Sequence, residues 1–110
     1  MSGRSLGEFE QMVLLAILHL GEGVYGVPIV EEIERRTGRS VARAAVYVAL
    51  RRLEKKELIE SWMGEPTEAR GGKARRLVRV LPEGRRLLLD SRRAMDAMWQ
   101  GLDAPSGDVA

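Results

Sequence analysis

Two short runs with strand character follow three segments with helical character, and this order constrains the fold of the 110-residue chain more than any other feature. The runs occupy residues 58–63 and 75–81, on either side of a polar stretch that contains glycine and proline. Such a pattern predicts a β-hairpin with a long tip. Three compact helices followed by a two-stranded hairpin make up the winged helix-turn-helix arrangement. We therefore expect a mainly α fold with a two-stranded β-hairpin.

Local signals place the first two helices. Ser5 and Glu8 form an S-x-x-E pattern, which predicts a capping box at the start of the first helix. The apolar stripe that follows is wide enough for this helix to be covered on most sides. Pro28 suits the first turn of a second helix, which Thr37 and Gly38 end. The inner side of the second helix is expected to consist of Val27, Val30 and Ile33.

A third helix is expected over residues 40–56, with Ser40 as its N-cap. Helical geometry directs one set of its side chains toward the core. This inner set is Ala42, Val46, Ala49, Leu50 and Leu53. The outward set is Ser40, Ala44, Val48, Arg51 and Lys55, with Arg43 and Tyr47 on the flank.

A last helix over residues 82–102 carries an apolar stripe that so small a chain covers poorly. The stripe can pack on its own domain, or it can form a dimer seam with the first helix. The seam residues would be Phe9, Met12, Met95, Met98, Trp99 and Leu102, and Trp99 could also border a small-molecule site. The predicted divisions are a winged-helix domain at 5–81, a dimerisation helix at 82–103 and a flexible tail at 104–110.

Charge is distributed unevenly, although the net charge is only +2. Residues 1–34 hold six acids against one base, whereas residues 70–86 hold seven bases against one acid. A basic segment of this kind favours a polyanionic partner, and nucleic acid is the first candidate.

Several function classes are poorly supported. With no cysteine and one histidine, the chain lacks the usual ligands of a metal site and the members of a catalytic trio, so we expect neither an enzyme nor a bound cofactor. The longest apolar run covers residues 12–18, far short of the roughly 20 residues that a membrane span needs. A cytoplasmic protein is expected.

The run EARGGKARRLVRV at residues 68–80 concentrates glycine and basic residues. It does not match a phosphate-binding P-loop, because Thr67 stands where the first glycine is needed and Ala74 follows Lys73. A nuclear-localisation signal and a merely solvated basic loop are the alternatives. As a wing, the run would direct Lys73, Arg75 and Arg76 toward a phosphate backbone or a minor groove.

The third helix is the second helix of the predicted helix-turn-helix unit, the one that enters the major groove. Its DNA-binding residues would be Ser40, Arg43, Ala44, Tyr47 and Arg51. Small side chains allow close approach, and the hydroxyl and guanidinium groups can contact phosphates or bases. A solvated face of mixed charge is the alternative.

Several segments together resemble PadR-like transcriptional regulators: LGEFE at 6–10, YG at 25–26, VYVALRRLEKKELI at 46–59, GGKARR at 71–76 and PEGR at 82–85. The resemblance implies a homodimeric winged-helix repressor whose terminal helix packs against the partner. It also implies release by a small, often aromatic effector, for which Trp99 matches a tryptophan that some short members use. Glu57 departs from the glycine usual in the family, Ala44 from another glycine, and Leu81 from a capping threonine. The alternative function is a winged-helix adaptor module that binds protein rather than DNA.

Overall fold

The computed structural model describes residues 5–66 and 74–102, and within them the predicted order of elements is confirmed. The elements are α1 (Glu8–Leu20), α2 (Gly26–Thr37), α3 (Arg43–Lys55), β1 (Ile59–Met63), β2 (Arg76–Val80) and α4 (Pro82–Trp99). Three helices followed by a hairpin and a further helix form a winged helix-turn-helix fold with a C-terminal extension. None of the described helices is long and apolar enough to cross a bilayer.

The hairpin is antiparallel, with Ile59 opposite Val80 and Ser61 opposite Val78. On its other side, β2 is joined to the α1–α2 connection by a bridge between Val24 and Val78. The Val78 N–H donates to the Val24 carbonyl at 2.8 Å, and the Gly23 N–H donates to the Val78 carbonyl at 3.1 Å. The base of the hairpin is therefore fixed to the segment that leads into α2. Residues 67–73 of the predicted tip, which include Lys73, lie outside the described residues.

The core lies where α1, α2, α3 and the hairpin meet. Its largest fully buried side chains are Leu14, Ile17, Ile29, Leu53 and Leu58. On α2, Ile33 is buried as predicted, but Ile29 is buried in place of Val27 and Val30, which are only half-buried. On α3, Val46, Ala49 and Leu53 are buried as predicted, but Ala42 is exposed.

Both predicted serine caps were wrong. Helix α1 begins at Glu8 with Gly7 as its N-cap, and the Gly7 N–H donates to the Glu10 carboxylate at 3.0 Å. Ser5 instead accepts a hydrogen bond at its carbonyl from the Lys56 ammonium. The N-cap of α3 is Ala42 rather than Ser40, and the preceding turn is held by Glu34, whose carboxylate accepts the Val41 N–H at 2.8 Å.

Two helix ends have the same backbone conformation but different residues. Helix α2 ends at Gly38, which has a left-handed conformation with φ of 74°. Just beyond α3, Glu57 has φ of 63° and is the one described non-glycine residue with positive φ. Glu57 is the position where the sequence departs from the family's glycine, so a residue with a Cβ occupies a conformation that favours glycine.

Helix α4 packs on the domain through its first turns only. Gly84 lies against the backbone of Leu58, where an added Cβ would come within 2.5 Å of the Leu58 carbonyl oxygen. Leu88 is buried, but the apolar side chains beyond it are exposed. Leu81 is the N-cap and makes no side-chain capping bond. The far half of α4 therefore presents an apolar stripe to solvent.

Candidate nucleic-acid interface

The outward face of α3 carries a stripe of exposed side chains that follow one another at intervals of one helical turn. It consists of Arg43, Tyr47 and Arg51, with Ala44 beside it, and all four are exposed. The stripe faces away from Val46 and Leu53, which anchor α3 in the core. Ser40 is exposed in the turn before α3 and is not part of the helix.

The Tyr47 ring lies against the start of α2 because the residue there has no side chain. A Cβ added to Gly26 would come within 2.6 Å of the Tyr47 Cε1 atom. Gly26 has an ordinary helical conformation, so its role is the space that it leaves for this ring. The tyrosine of α3 thus lies beside the start of α2, next to the segment that is bonded to β2.

Arg75, just before β2, places its guanidinium over the Tyr25 ring at 3.9 Å from the ring centroid. That distance is within the range of a cation–π interaction. A shallow cleft of about 320 Å³ opens here, and its lining includes Tyr25, Gly26, Tyr47, Arg75 and Arg76. Residues from α3, the start of α2 and the hairpin therefore meet in one cleft.

Arg76 is oriented by a short hydrogen-bond chain across the hairpin to α3. Its Nη1 donates to the Ser61 hydroxyl at 2.8 Å, and that hydroxyl donates to the Glu54 carboxylate at 2.9 Å. A second cleft, of about 520 Å³, lies beside this chain and is lined in part by Tyr47, Arg51 and Arg76. The arginines of α3 and of β2 are thus joined by adjoining clefts.

We refer to Arg43, Arg51, Arg75 and Arg76 as the basic surface. Among residues 5–66 and 74–102, no carboxylate lies within 4.0 Å of any of these four guanidinium groups. Arg79 differs, because its Nε donates to Glu60 at 2.8 Å and its Nη1 to Glu22 at 3.3 Å. Those hydrogen bonds, first to Glu60 and then to Glu22, raise the pKa of Arg79. The described acids therefore neutralise arginines away from the basic surface.

One ion pair inside the domain joins the C-terminal end of α3 to α1. The Lys56 ammonium contacts both oxygens of Glu10, at 2.9 and 3.0 Å, and so joins the end of α3 to the start of α1. Burial by itself would raise the pKa of Glu10, but the Gly7 N–H and the Lys56 ammonium outweigh it and the pKa is lowered. Glu10 is therefore held ionised at the back of the helix that carries the basic surface.

The predicted dimer residues lie in three places: in a groove between α1 and α4, at the exposed C-terminal end of α4, and beside α3. A groove of about 880 Å³ runs between α1 and α4, and its apolar lining includes Met12, Leu15, Leu88, Leu89 and Met95. Met98 and Trp99 at the end of α4, and Leu102 just after it, are exposed. Phe9 lies elsewhere, beside Ala45 and Val48 of α3.

Sequence reasoning assigned no role to Tyr25, Gly26 or Ser61, although the first two served as markers of a family resemblance. For Tyr25 and Gly26, the signal is the YG pair at the start of α2, where Tyr25 is the N-cap and Gly26 is the first helical residue. The pair acquires a functional meaning only in the structure, where Arg75 lies over the Tyr25 ring and the Tyr47 ring lies against Gly26.

Residues 14–90 match the transcriptional regulator PadR-like family. The chain belongs to the PadR-like family. This PadR-like protein is also 36% identical over 84 residues to an uncharacterized protein from Lysinibacillus sphaericus, an alignment that covers 74% of this chain and 72% of the relative. PadR-like proteins are transcriptional regulators and not enzymes.

Solved structures agree with the family. A transcriptional regulator from Clostridium thermocellum superposes with a TM-score of 0.68 at 26% identity, over 84% of each chain. A PadR family transcriptional regulator from Eggerthella lenta gives a TM-score of 0.66 at 26% identity, over 86% of this chain and 81% of that chain. The winged-helix fold of the PadR-like protein is thus shared with proteins described as transcriptional regulators.

Proposed function

We propose that this PadR-like protein is a cytoplasmic, homodimeric repressor that binds operator DNA. The observation that carries the proposal is the basic surface, four arginines on α3 and at the start of β2 without a described carboxylate partner. Unpaired guanidinium groups beside an exposed helix face suit the contacts that proteins make to phosphates and base edges. Residues 5–81 would form the DNA-binding domain.

Within this domain, α3 would enter the major groove with Arg43, Ala44 and Arg51 toward the base edges, and its Tyr47 would contact phosphate. Ser40 would contact phosphate from the turn before the helix. Arg75 and Arg76 would contact the backbone beside it, as would Lys73, which lies outside the described residues. The assignment of the base contacts follows from position on the helix.

The test is titration of labelled duplex DNA from upstream of the protein's own operon, followed by fluorescence anisotropy at several salt concentrations. We expect binding that is tighter than to random DNA and a log–log salt slope of about 0.9 for each phosphate neutralised. Equal affinity for both DNAs would remove the repressor proposal. Absence of binding to either DNA would favour the adaptor function instead.

We extend the proposal to dimerisation through the α1–α4 groove and residues 82–103. The large apolar side chains of α4 beyond Leu88 are exposed, and clustered exposed apolar side chains are a feature of protein–protein interaction sites. A second copy would cover Met95, Met98, Trp99 and Leu102 with the groove that contains Met12. Phe9 is omitted from this seam because it lies beside α3.

Light scattering on purified variants tests the seam. Met95→Glu places a charge in the groove and is expected to halve the measured mass at micromolar concentration. Met63→Glu is the matched control, because Met63 is a similarly exposed methionine on the hairpin, and it should keep the wild-type mass. A monomeric wild-type protein, or a dimeric Met95→Glu variant, would contradict the proposed seam.

We also propose that a small aromatic effector stacks on Trp99, whose side chain is 54% exposed. In a Trp62→Phe variant, Trp99 is the remaining tryptophan and reports directly on binding. Saturable quenching by a planar aromatic dye is expected, together with weaker DNA binding. Quenching that rises linearly with dye would argue against an effector site.

A further inference from the structure

We infer that Tyr25 is a positioning residue for DNA binding, whose ring holds Arg75 so that Arg75 and Tyr47 grip one backbone phosphate of the operator. This inference rests on the proposed DNA binding and deepens it. The phosphate would sit in the cleft of about 320 Å³ that Tyr25, Tyr47, Arg75 and Arg76 share.

Backbone pairing sets Tyr25 and Arg75 side by side. Val24 stands opposite Val78 in an antiparallel bridge, so continuing the pairing by one residue places Tyr25 beside Leu77. Arg75 is two residues from Leu77 and therefore shares its face, which makes Tyr25 and Arg75 diagonal neighbours. The contact is a product of the fold's long-range pairing and not of sequence proximity.

The type of contact determines what Arg75 can still do. A carboxylate partner occupies the N–H donors of a guanidinium, as Glu60 and Glu22 do for Arg79. A ring beneath the guanidinium instead uses its flat face and leaves the N–H donors on the edge available for phosphate. Stacking also restricts a side chain that otherwise loses considerable rotamer freedom when it binds. Tyr25 thus orders Arg75 without neutralising it.

The other side of the cleft is positioned in the same way. Gly26, next to Tyr25, leaves the space in which the Tyr47 ring lies against the start of α2. The dipeptide Tyr25–Gly26 therefore fixes one side chain of the hairpin and one of α3, which are far apart in sequence. Two donors that face one cleft from two elements form a suitable seat for a phosphodiester.

A double-mutant cycle tests the inference with the same anisotropy assay and operator duplex. Arg75→Ala is expected to weaken binding about tenfold and to lower the salt slope by about 0.9 per protomer. Tyr25→Leu should weaken binding about fivefold while the charge remains, and Tyr25→Phe, which keeps the ring, should stay within about twofold of wild type. In the Arg75→Ala background, Tyr25→Leu should add less than about a twofold loss.

The outcomes separate the inference from the proposed function. An equal loss of operator affinity from Tyr25→Leu in both backgrounds would mean that Tyr25 does not act through Arg75, and it would overturn the inference alone. A Tyr25→Phe variant that loses as much affinity as Tyr25→Leu would do the same. A wild-type protein that shows no salt-dependent DNA binding would overturn both. Thermal unfolding of each variant, followed by circular dichroism, identifies any loss of folding, and Tyr25→Phe tests the ring independently of Tyr25→Leu.

Discussion

Arginine is abundant both on the basic surface and on α4, but the guanidinium groups in the two regions have different neighbours. On α4, Arg86 contacts Glu83 and Asp90, and Arg92 lies 3.6 Å from Asp96. These pairs are local, three or four residues apart on one helix. On the basic surface, the described acids leave the guanidinium groups to a ring, a hydroxyl or solvent.

The position of the acids, and not only the number of bases, therefore decides which described arginines have a carboxylate partner. A net charge of +2 conceals this arrangement because paired and unpaired arginines count alike. A surface for a polyanion requires unpaired bases that are close together.

Charge reversal should separate the two regions most strongly. Arg51→Glu places an acid on the exposed stripe of α3 and is expected to weaken operator binding about 100-fold. Arg93→Glu makes the same change on α4, where Arg93 is exposed and lies 3.9 Å from Asp90, and binding should stay within about twofold of wild type. Anisotropy titrations compare the two, and similar losses from both would mean that net charge alone governs affinity.

Removal of a paired acid should lower the free energy of unfolding more inside the domain than on α4. Glu10→Gln is expected to lower the free energy of unfolding by about 2 kcal/mol at neutral pH, because it breaks the half-buried bond to Lys56. Asp90→Asn, which affects exposed pairs with Arg86 and Arg93, should cost about 0.5 kcal/mol or less. Urea unfolding measures both.

The pH dependence of Glu10→Gln has a defined sign. The folded-state pKa of Glu10 lies below its ordinary value of 4.5, so its carboxylate stabilises the fold above that pH. This contribution is lost as the pH falls through the lowered pKa. The difference between wild type and Glu10→Gln should therefore shrink in acid, and a difference that is constant with pH would contradict a role for the ionised carboxylate.

Gly26→Ala should impair DNA binding while sparing stability. The added Cβ displaces the Tyr47 ring from α2, and we expect about a tenfold loss of operator affinity with little change in the unfolding midpoint. Gly38→Ala is the opposite control, because its φ of 74° penalises a side chain but no atom lies within 4 Å of the new Cβ. It should cost about 1 kcal/mol of stability and leave binding within about twofold.

The smallest expected effect is a gain in stability at Glu57. Glu57→Gly relieves the left-handed conformation after α3 and should stabilise the protein by about 1 kcal/mol. Lys55→Gly, two residues earlier and inside the helix, should destabilise it by about as much. Urea unfolding of the pair decides whether the conformation of Glu57 is costly, and an unstabilised Glu57→Gly variant would show that it is not.

The order of elements could be predicted because periodicity is a local property. The helical stripe of α3 and the two runs on either side of the glycine-containing stretch each appear within a few residues. Core positions that repeat every three or four residues, such as Val46, Ala49 and Leu53, followed from the same pattern. Family membership followed from several such segments in order.

The details that failed depend on partners distant in the chain. Ser5 presents a complete capping pattern, yet α1 begins two residues later than that pattern places it, with Glu10 bonded both to Gly7 and to Lys56, 46 residues away. Ser40 is likewise not the N-cap of α3, because Glu34 accepts the Val41 N–H in the turn before that helix. The role of Tyr25 depends on the bridge between Val24 and Val78, which no local pattern encodes.

The space above Gly26 has a genetic consequence. A glycine codon becomes an alanine codon by one base change, and the resulting chain would keep the α1–α4 groove and still associate with normal subunits. In the proposed dimer, each mixed molecule would carry one impaired α3 beside one intact copy. A single altered allele would then interfere with the product of the normal one, so that partial derepression would be inherited as a dominant trait.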